Sequence, residues 1–348
     1  MNRKVRVKDI AQEAGVSTGT VDRVLNKHGR VSEETRKKVL QIANQLGYKP
    51  NMFAKSLSSK RLNKIVICLP AAHINNPYWE KPIEGIEKAK KELADYNFLI
   101  QYYTFDASSQ DLYSETLDRA IDEEPDGIIF SPLFNKIAKL KVSKLKEKQI
   151  PFVFMDIDMP GAGNLAYFGQ EAMLCGRVAG SLMKTCLTAN SNVLIIKIAP
   201  HKDFSAHIRD RIKGFKSALS VTGITTTTLE IDIVKENEPN LTLQQHLMNA
   251  EKYQGVFVPN SRAFKVAEFI EQNHVKDMVV IGNDVFSNNV RYLEKGIITF
   301  LLGQKPEEQV FNAIMALFNH LILKKEVVKK NYSPINIIIK DNVKYYHD

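Results

Sequence analysis

Val7-Lys-Asp-Ile-Ala-Gln-Glu-Ala-Gly15-Val-Ser-Thr-Gly-Thr-Val-Asp-Arg-Val-Leu-Asn26 decides how the amino-terminal part of this chain folds. Val7, Ile10, Ala11 and Ala14 recur at helical spacing and mark one apolar face. Gly15 then stands where a sharp turn between helices calls for positive φ or close backbone approach. Ser17 predicts the N-cap of a second helix, on which Val21, Val24 and Leu25 form the apolar face. Ala11 is small enough to let that helix cross closely over the first. The pattern is a helix-turn-helix whose second helix is built to enter the major groove of DNA.

Charge is concentrated around this motif. Residues 1–64 hold 15 lysines and arginines against 5 acids, whereas the remainder holds 33 against 34. The net charge of +9 therefore lies entirely with the helix-turn-helix, as a nucleic-acid-binding head on a neutral body requires. A solvated basic face without a partner is the plainer alternative. At 348 residues, with 44% hydrophobic content, the chain can build two or three soluble domains with proper cores. Cys68, Cys175 and Cys186 lack metal-ligand spacing and read as buried thiols of a reducing cytosol. There is no secretory h-region and no apolar run long enough to span a membrane.

Outward from the motif, Ser32 predicts the cap of a third helix, Glu33 to Leu46, with Val39, Ile42, Ala43 and Leu46 on one face and Gly47 ending it. Pro50 then blocks helix propagation, and Asn51 is suited to cap a short helix that is marginal in isolation and forms on binding, or is a plain linker. Val7–Asn26, Tyr48-Lys49-Pro50-Asn51 and Ala54-x-x-Leu57 together resemble the LacI/GalR family of bacterial transcription regulators, over essentially the whole chain. The resemblance implies a hinge helix that folds on operator DNA and pushes Leu57 into a minor-groove step, with Ala54 at the hinge-helix contact. It implies that Thr18 and Gly19 face base edges, that Arg23 contacts a base or phosphate, and that Ser17 and Thr20 hold phosphates, with Asn26 and Asn51 in the same interface. Gly19 leaves one base-reading position without a side chain. Asp22 stands where serine is usual and reads either as a disturbance near phosphate or as a surface ion pair with Arg23 or Lys27.

From Asn63 the pattern alternates between strand and helix: strands at 64–70, 98–104, 126–130 and 151–156, then at 193–198, 227–233, 255–258 and 278–281. Strands with helical crossovers predict parallel sheets covered on both faces, in two α/β lobes, with ligands at the carboxyl ends of the strands. The expected organisation is a helix-turn-helix domain at 1–47, a hinge-helix linker at 48–64 and a two-lobed body at 65–348. Lobe 1 takes about 65–160 and 290–325, and lobe 2 about 161–289 and 326–348. The body resembles a periplasmic-type sugar-binding protein, which implies that Gly296–Gln304 returns to the first lobe and Ile335–Lys340 to the second. The same resemblance places Asn76, Tyr78 and Trp79 in an aromatic motif for a sugar face, or in ordinary helix-start packing. Asp156 matches a carboxylate that accepts hydroxyls, or caps a helix. Arg209 matches the ligand arginine, Arg211 looks structural with Gly214 and Phe215, Asn260 and Asp284 match a second-lobe polar pair, and Gln304 matches an amide at a crossover. His207 stands beside Arg209. Ser261 replaces a usual aspartate, Glu171 stands for another, and Lys305 follows Gln304, so ligand identity is open.

No Walker loop, H-E-x-x-H, G-x-S-x-G or metal cluster is present, and neither a cofactor nor an enzyme activity is expected. Asp156, Asp158 and Glu171 as a glycosidase pair would need a separation that sequence does not give. The reading is a ligand-responsive DNA-binding regulator, cytoplasmic and nucleoid-associated, binding a near-palindromic double-stranded operator as a homodimer with a carbohydrate effector in the cleft. The alternatives are a solute receptor without DNA function and a carbohydrate enzyme with a DNA-binding head. Because the basic excess sits in the head, log affinity for duplex DNA should fall steeply and linearly with log salt. A flat plot from about 50 to 200 mM salt would contradict the phosphate-contact reading.

Overall fold

Helix formation in the head starts from local hydrogen bonds. In α1 (Val7–Ala14) the Asp9 carboxylate reaches back to accept from the Arg6 backbone N–H at 2.8 Å. Gly15 ends the helix at φ 64°, a left-handed conformation open to glycine without a Cβ penalty, and the Val16 N–H closes on the Ala11 carbonyl at 3.0 Å. Ser17 Oγ accepts from the Thr20 N–H at 3.1 Å and so starts α2 (Thr18–Leu25). Ser32 does the same for α3 (Glu33–Gln45), whose first turn carries Glu33 and Glu34. Ile10, Ala14, Val21, Val24 and Val39 are buried together, with Ala11 and Ala43 small enough to let the three helices close on them.

The computed structural model describes residues 5–25, 29–46, 61–72, 77–199, 206–232, 240–248 and 252–346. Asn26, Asn51, Ala54, Leu57 and Asn76 lie outside the described residues, as does most of the linker expected at 48–64. Met1–Ser58 and Ser59–Asp348 are separate compact units.

The second unit holds two sheets. The first comprises β1 (Asn63–Pro70), β2 (Phe98–Phe105), β3 (Gly127–Phe130), β4 (Phe152–Met155), β5 (Ala166–Gly169) and β11 (Lys330–Tyr332). The second comprises β6 (Asn192–Ala199), β7 (Thr225–Asp232), β8 (Gly255–Phe257), β9 (Val279–Asn283), β10 (Phe300–Gly303) and β12 (Asn336–Ile338). Their orders correspond: β11-β5-β4-β3-β1-β2 and β12-β10-β9-β8-β6-β7. All pairs are parallel except β10 with β12. The central strands are buried from end to end, as sheets covered on both faces require.

In the first lobe α5 (Gln110–Asp122) and α6 (Asn135–Glu147) cover one face through Tyr113, Leu117, Ala138 and Val142. Helices α4 (Glu80–Glu92) and α12 (Pro306–Leu321) pack on the other. In the second lobe α7 (Ala172–Cys186) and α8 (Ala206–Leu219) bury Cys175, Ala179 and Phe215 on one face. The opposite face is covered by α9 (Asn240–Leu247), α10 (Ala263–Gln272) and α11 (Ser287–Glu294).

Two sequence expectations are corrected here. β5 pairs with β4, and β10 with β9, so residues 166–169 belong to the first sheet and residues 300–303 to the second. The crossovers therefore fall near residues 170, 304 and 333–335, rather than at the expected 161, 290 and 326. Four-residue strands are too short for periodicity to assign them; strand pairing does so. The second correction is Cys186, which is exposed at the end of α7, whereas Cys68 and Cys175 are buried as expected.

The crossovers are tied together by one side chain. Gln170 Nε2 donates to the Gly303 carbonyl at 2.9 Å and to the Pro334 carbonyl at 3.1 Å, so an amide on the first crossover grips the other two. Helices α7 and α8 meet at backbone distance, because a Cβ on Gly176 would lie 1.8 Å from the Arg211 carbonyl oxygen. Gly176→Ala is expected to cost about 2–3 kcal/mol through overpacking against backbone. A urea midpoint equal to wild type would refute that close approach.

Candidate functional site

The two lobes end their fourth sequential strands in the same way. β4 leads to Asp156 at φ 63° and β9 leads, through Asn283, to Asp284 at φ 72°, both in the left-handed region that aspartate tolerates better than most residues. The Asp156 N–H donates to the Phe168 carbonyl at 2.8 Å, and the Asp284 N–H to the Leu302 carbonyl at 2.9 Å. Each aspartate is thus fixed by the ladder to its neighbouring strand, with its carboxylate directed into a cavity between the lobes. Asn289 braces the second turn: its Nδ2 donates to the Asn283 and Asp284 carbonyls, both at 2.9 Å, while its Oδ1 accepts from the Phe264 N–H at 2.8 Å.

The first lobe adds Tyr78 and Trp79, which form a 3-10 turn ahead of α4 with their rings edge to face at 4.9 Å. Both are buried, and both line the cavity. Tyr78 donates its hydroxyl to Asp156 Oδ1 at 3.2 Å. Across the cavity Gln304 Nε2 donates to Asp284 Oδ1 at 2.7 Å, while Gln309 Nε2 donates to the Gln304 carbonyl at 2.9 Å. Asn260 lines the same space and donates its amide to the Ile198 carbonyl.

The arginine assignment is corrected. Arg209 is exposed on α8 and does not line the cavity. Arg211, two residues on and therefore about 200° around the helix, is buried in the cavity wall and donates to the Pro259 carbonyl at 3.0 Å. Arg211 read as structural in the sequence because Gly214 and Phe215 follow it. It is structural and faces the cavity as well. His207, Leu133 and Arg262 also line the space. Glu171 is exposed, whereas Ser261 lines the cavity.

Burial sets the electrostatics. Desolvation pushes Asp284 up to about 6; Arg211 opposes the shift and the Asp156 charge adds to it. Asp156 is also raised by burial, against the pull of Arg211 and of hydrogen bonds from Tyr78 and Gln304. Burial works to lower Arg211, but Cys175, Asp284, Asp156 and Tyr78 outweigh it and hold the guanidinium firmly charged. Burial, then Arg211, pushes His207 well below its ordinary value, so its ring is neutral. Arg211 thus acts on carboxylates from both lobes through its charge, its own hydrogen bond going to the Pro259 carbonyl. The cavity encloses about 50 Å³, small beside the ~300–1,000 Å³ of usual small-molecule sites, and on its wall the buried Arg211 Nε and His207 Nδ1 have no hydrogen-bond partner. A wider groove of about 340 Å³ backs onto it through Tyr78, Asp284 and Gln304.

In the head, Ser17, just ahead of α2, and Thr18, Gly19 and Arg23 on it are exposed, and Thr20 is half-buried beside the core residues Val21 and Val24. The Ser17 and Thr20 hydroxyls lie 3.0 Å apart. The Arg23 stem lies against Gly29, where an added Cβ would meet its Cδ at 3.0 Å.

Comparison with known proteins settles the class. The periplasmic binding protein domain family matches residues 66–326, and the family of bacterial regulatory proteins, lacI family, matches residues 6–51. The chain belongs to the LacI family. It is 29% identical over 336 residues to the HTH-type transcriptional regulator RegA of Clostridium saccharobutylicum, covering 94% of this chain and 95% of that one. It is 33% identical over 224 residues to the regulator DegA of Bacillus subtilis, covering 64% of this chain and 62% of DegA. A putative LacI transcriptional regulator from Bacteroides fragilis superposes with a TM-score of 0.76 at 28% identity, covering 82% of this chain and all of that one. GanP, a glucose-galactose binding protein from Geobacillus stearothermophilus, shares the fold at a TM-score of 0.70 and 24% identity, covering 81% and 99%. This LacI-family chain is therefore a transcription regulator with a sugar-binding-protein-like body. Its family is one of regulators, so neither the enzyme nor the receptor alternative stands. Among the described residues no helix is long and apolar enough to cross a membrane.

The raised Asp284 gives a signed pH effect. A carboxyl held above its free-chain value binds its proton more tightly folded than unfolded, so its burden on folding is absent below about pH 4 and complete above about pH 6. Relative to Asp284→Asn, the wild type should lose on the order of 2–3 kcal/mol of stability as pH rises through that window. Parallel stability curves for the two proteins would show that the Asp284 carboxyl is not so perturbed.

Proposed function

We propose that this regulator binds a near-palindromic operator as a homodimer, and that a sugar or sugar-like effector between the lobes controls that binding. The observation that carries the effector reading is the buried constellation of Asp156, Arg211 and Asp284, with Gln304 and Asn260 beside it and the Tyr78 and Trp79 rings at its edge. Carboxylates and amides on opposite lobes suit a polyol, whose hydroxyls both donate and accept, and an aromatic wall suits the apolar face of its ring. The body's likeness in fold to GanP, named a glucose-galactose binding protein, supports the same class.

Operator binding falls to the exposed side of α2. Thr18 and Gly19 face base edges, Arg23 contacts a base or phosphate, and Ser17 and Thr20 hold phosphates. Asn26 and Asn51 extend that interface, and Ala54 and Leu57 supply the hinge contact and minor-groove wedge. A helix-turn-helix reads a few base pairs, so two copies on half-sites about one helical turn apart supply the specificity. Asn76 is a further effector contact in this reading. Entry of an effector separates the lobes about the Gln170 crossovers, and closure on it changes the face that each protomer offers its mate. A coupling of about 1–3 kcal/mol, or 5–150-fold in operator affinity, is the usual scale of such a device. The protein acts in the bacterial cytoplasm, at the nucleoid.

Selection from random duplex DNA with the full-length protein is expected to enrich a two-fold symmetric site. Enrichment of nothing, with and without pooled sugars, would remove the operator reading. On the selected site Arg211→Ala should bind DNA but lose its response to the effector, while Arg209→Ala responds like wild type. The opposite pattern would restore Arg209 to the ligand and return Arg211 to a purely structural role.

A further inference from the structure

Arg262 is the cleft group that the constellation above does not use. It stands at the start of α10, is only 7% exposed, and lines the cavity beside Asn260 and Ser261. Its guanidinium offers five N–H donors in a rigid fork. One of them reaches the Ile198 carbonyl, at 3.4 Å, and that carbonyl already accepts from Asn260 Nδ2. No ion pair to Arg262 is present among the described residues. Burial pulls it down to about 10, whereas the charges of Cys175, Asp284 and Asp156 act at a distance to raise Arg211. Nearby, the buried Nδ1 of His207 also has no hydrogen-bond partner.

An unpaired buried cation is expensive, and replacing it with an apolar side chain of similar volume is often neutral or stabilising. Here the fork faces a cavity whose other groups are suited to hydroxyls. Two parallel N–H donors match a carboxylate or a phosphoryl group, and the start of a ten-residue helix adds positive potential on the same side.

We infer that the effector is an anionic polyol, a sugar acid or a sugar phosphate, whose charged group is held by Arg262 while its hydroxyls engage Asp156, Asp284 and Gln304. The assignment rests on the effector reading proposed above. It also gives a reason for a buried charge that has no ion pair among the described residues.

The test is calorimetric titration of the full-length protein with D-glucose, D-gluconate, D-glucuronate and D-glucose 6-phosphate, and with the corresponding galactose series. At least one acidic member should bind ten-fold or more tighter than its neutral parent. Whether carboxylates or phosphates win separates the two anion classes. In Arg262→Met that acid-to-neutral ratio should fall at least ten-fold, Arg262→Lys should recover part of it, and the ligand-free Tm of Arg262→Met should equal or exceed wild type. Neutral sugars binding as tightly as acids, or an acid preference that survives Arg262→Met, would overturn the inference and leave the sugar-effector reading standing. A lower ligand-free Tm in Arg262→Met would assign Arg262 to structure instead. If no member of either series binds, the sugar-effector reading falls, and this inference with it.

Discussion

The enclosure of Arg211, Asp156 and Asp284 around one small cavity is the constraint on which the arrangement of the cleft depends. Two carboxylates on opposite lobes repel each other and resist burial, and each is driven toward its protonated form. Closure of the lobes is tolerable because a cation stands with them, charged more firmly than burial alone would allow. That cation must be delivered from α8 at a fixed height. The backbone contact between Gly176 and the Arg211 carbonyl fixes it, since no larger residue lets the two helices approach so closely. Packing in the second lobe and chemistry in the cleft are therefore one problem.

The lobes are built alike, and this likeness explains why the site is balanced across them. Matching strand orders place Asp156 and Asp284 at equivalent left-handed turns, each tied by its N–H to the neighbouring strand. What breaks the symmetry is the third lobe crossing. β12 enters antiparallel, and Gln170 bonds to both the Gly303 and Pro334 carbonyls, so that one amide joins all three crossing segments.

Most of the architecture could be read from the sequence because it rests on short-range physics. Capping by Ser17 and Ser32, the left-handed Gly15 and the apolar faces of α1 to α3 are properties of neighbouring residues, and they appear as read except at Leu46, which is exposed just past the end of α3. Alternation of buried strands with amphipathic helices likewise marks an α/β body without knowledge of any distant contact. The cleft was half legible. Aspartates and amides at strand ends announced themselves at Asp156, Asn260, Asp284 and Gln304, whereas Gln170 and Arg262 carried no local signal.

What the sequence by itself determined, then, is the helix-turn-helix head, the confinement of the net charge to it, and the two-lobed parallel fold. Only the tertiary structure decided to which sheet β5 and β10 belong, because four-residue strands are assigned by their pairing partners. It alone decided between Arg209 and Arg211. Two positions along a helix are about 200° of rotation, and which side faces the cavity depends on how α8 seats against α7. It alone showed that Arg262 is buried on the cavity wall with no ion pair among the described residues, a fact about three dimensions that leaves no trace in the order of residues.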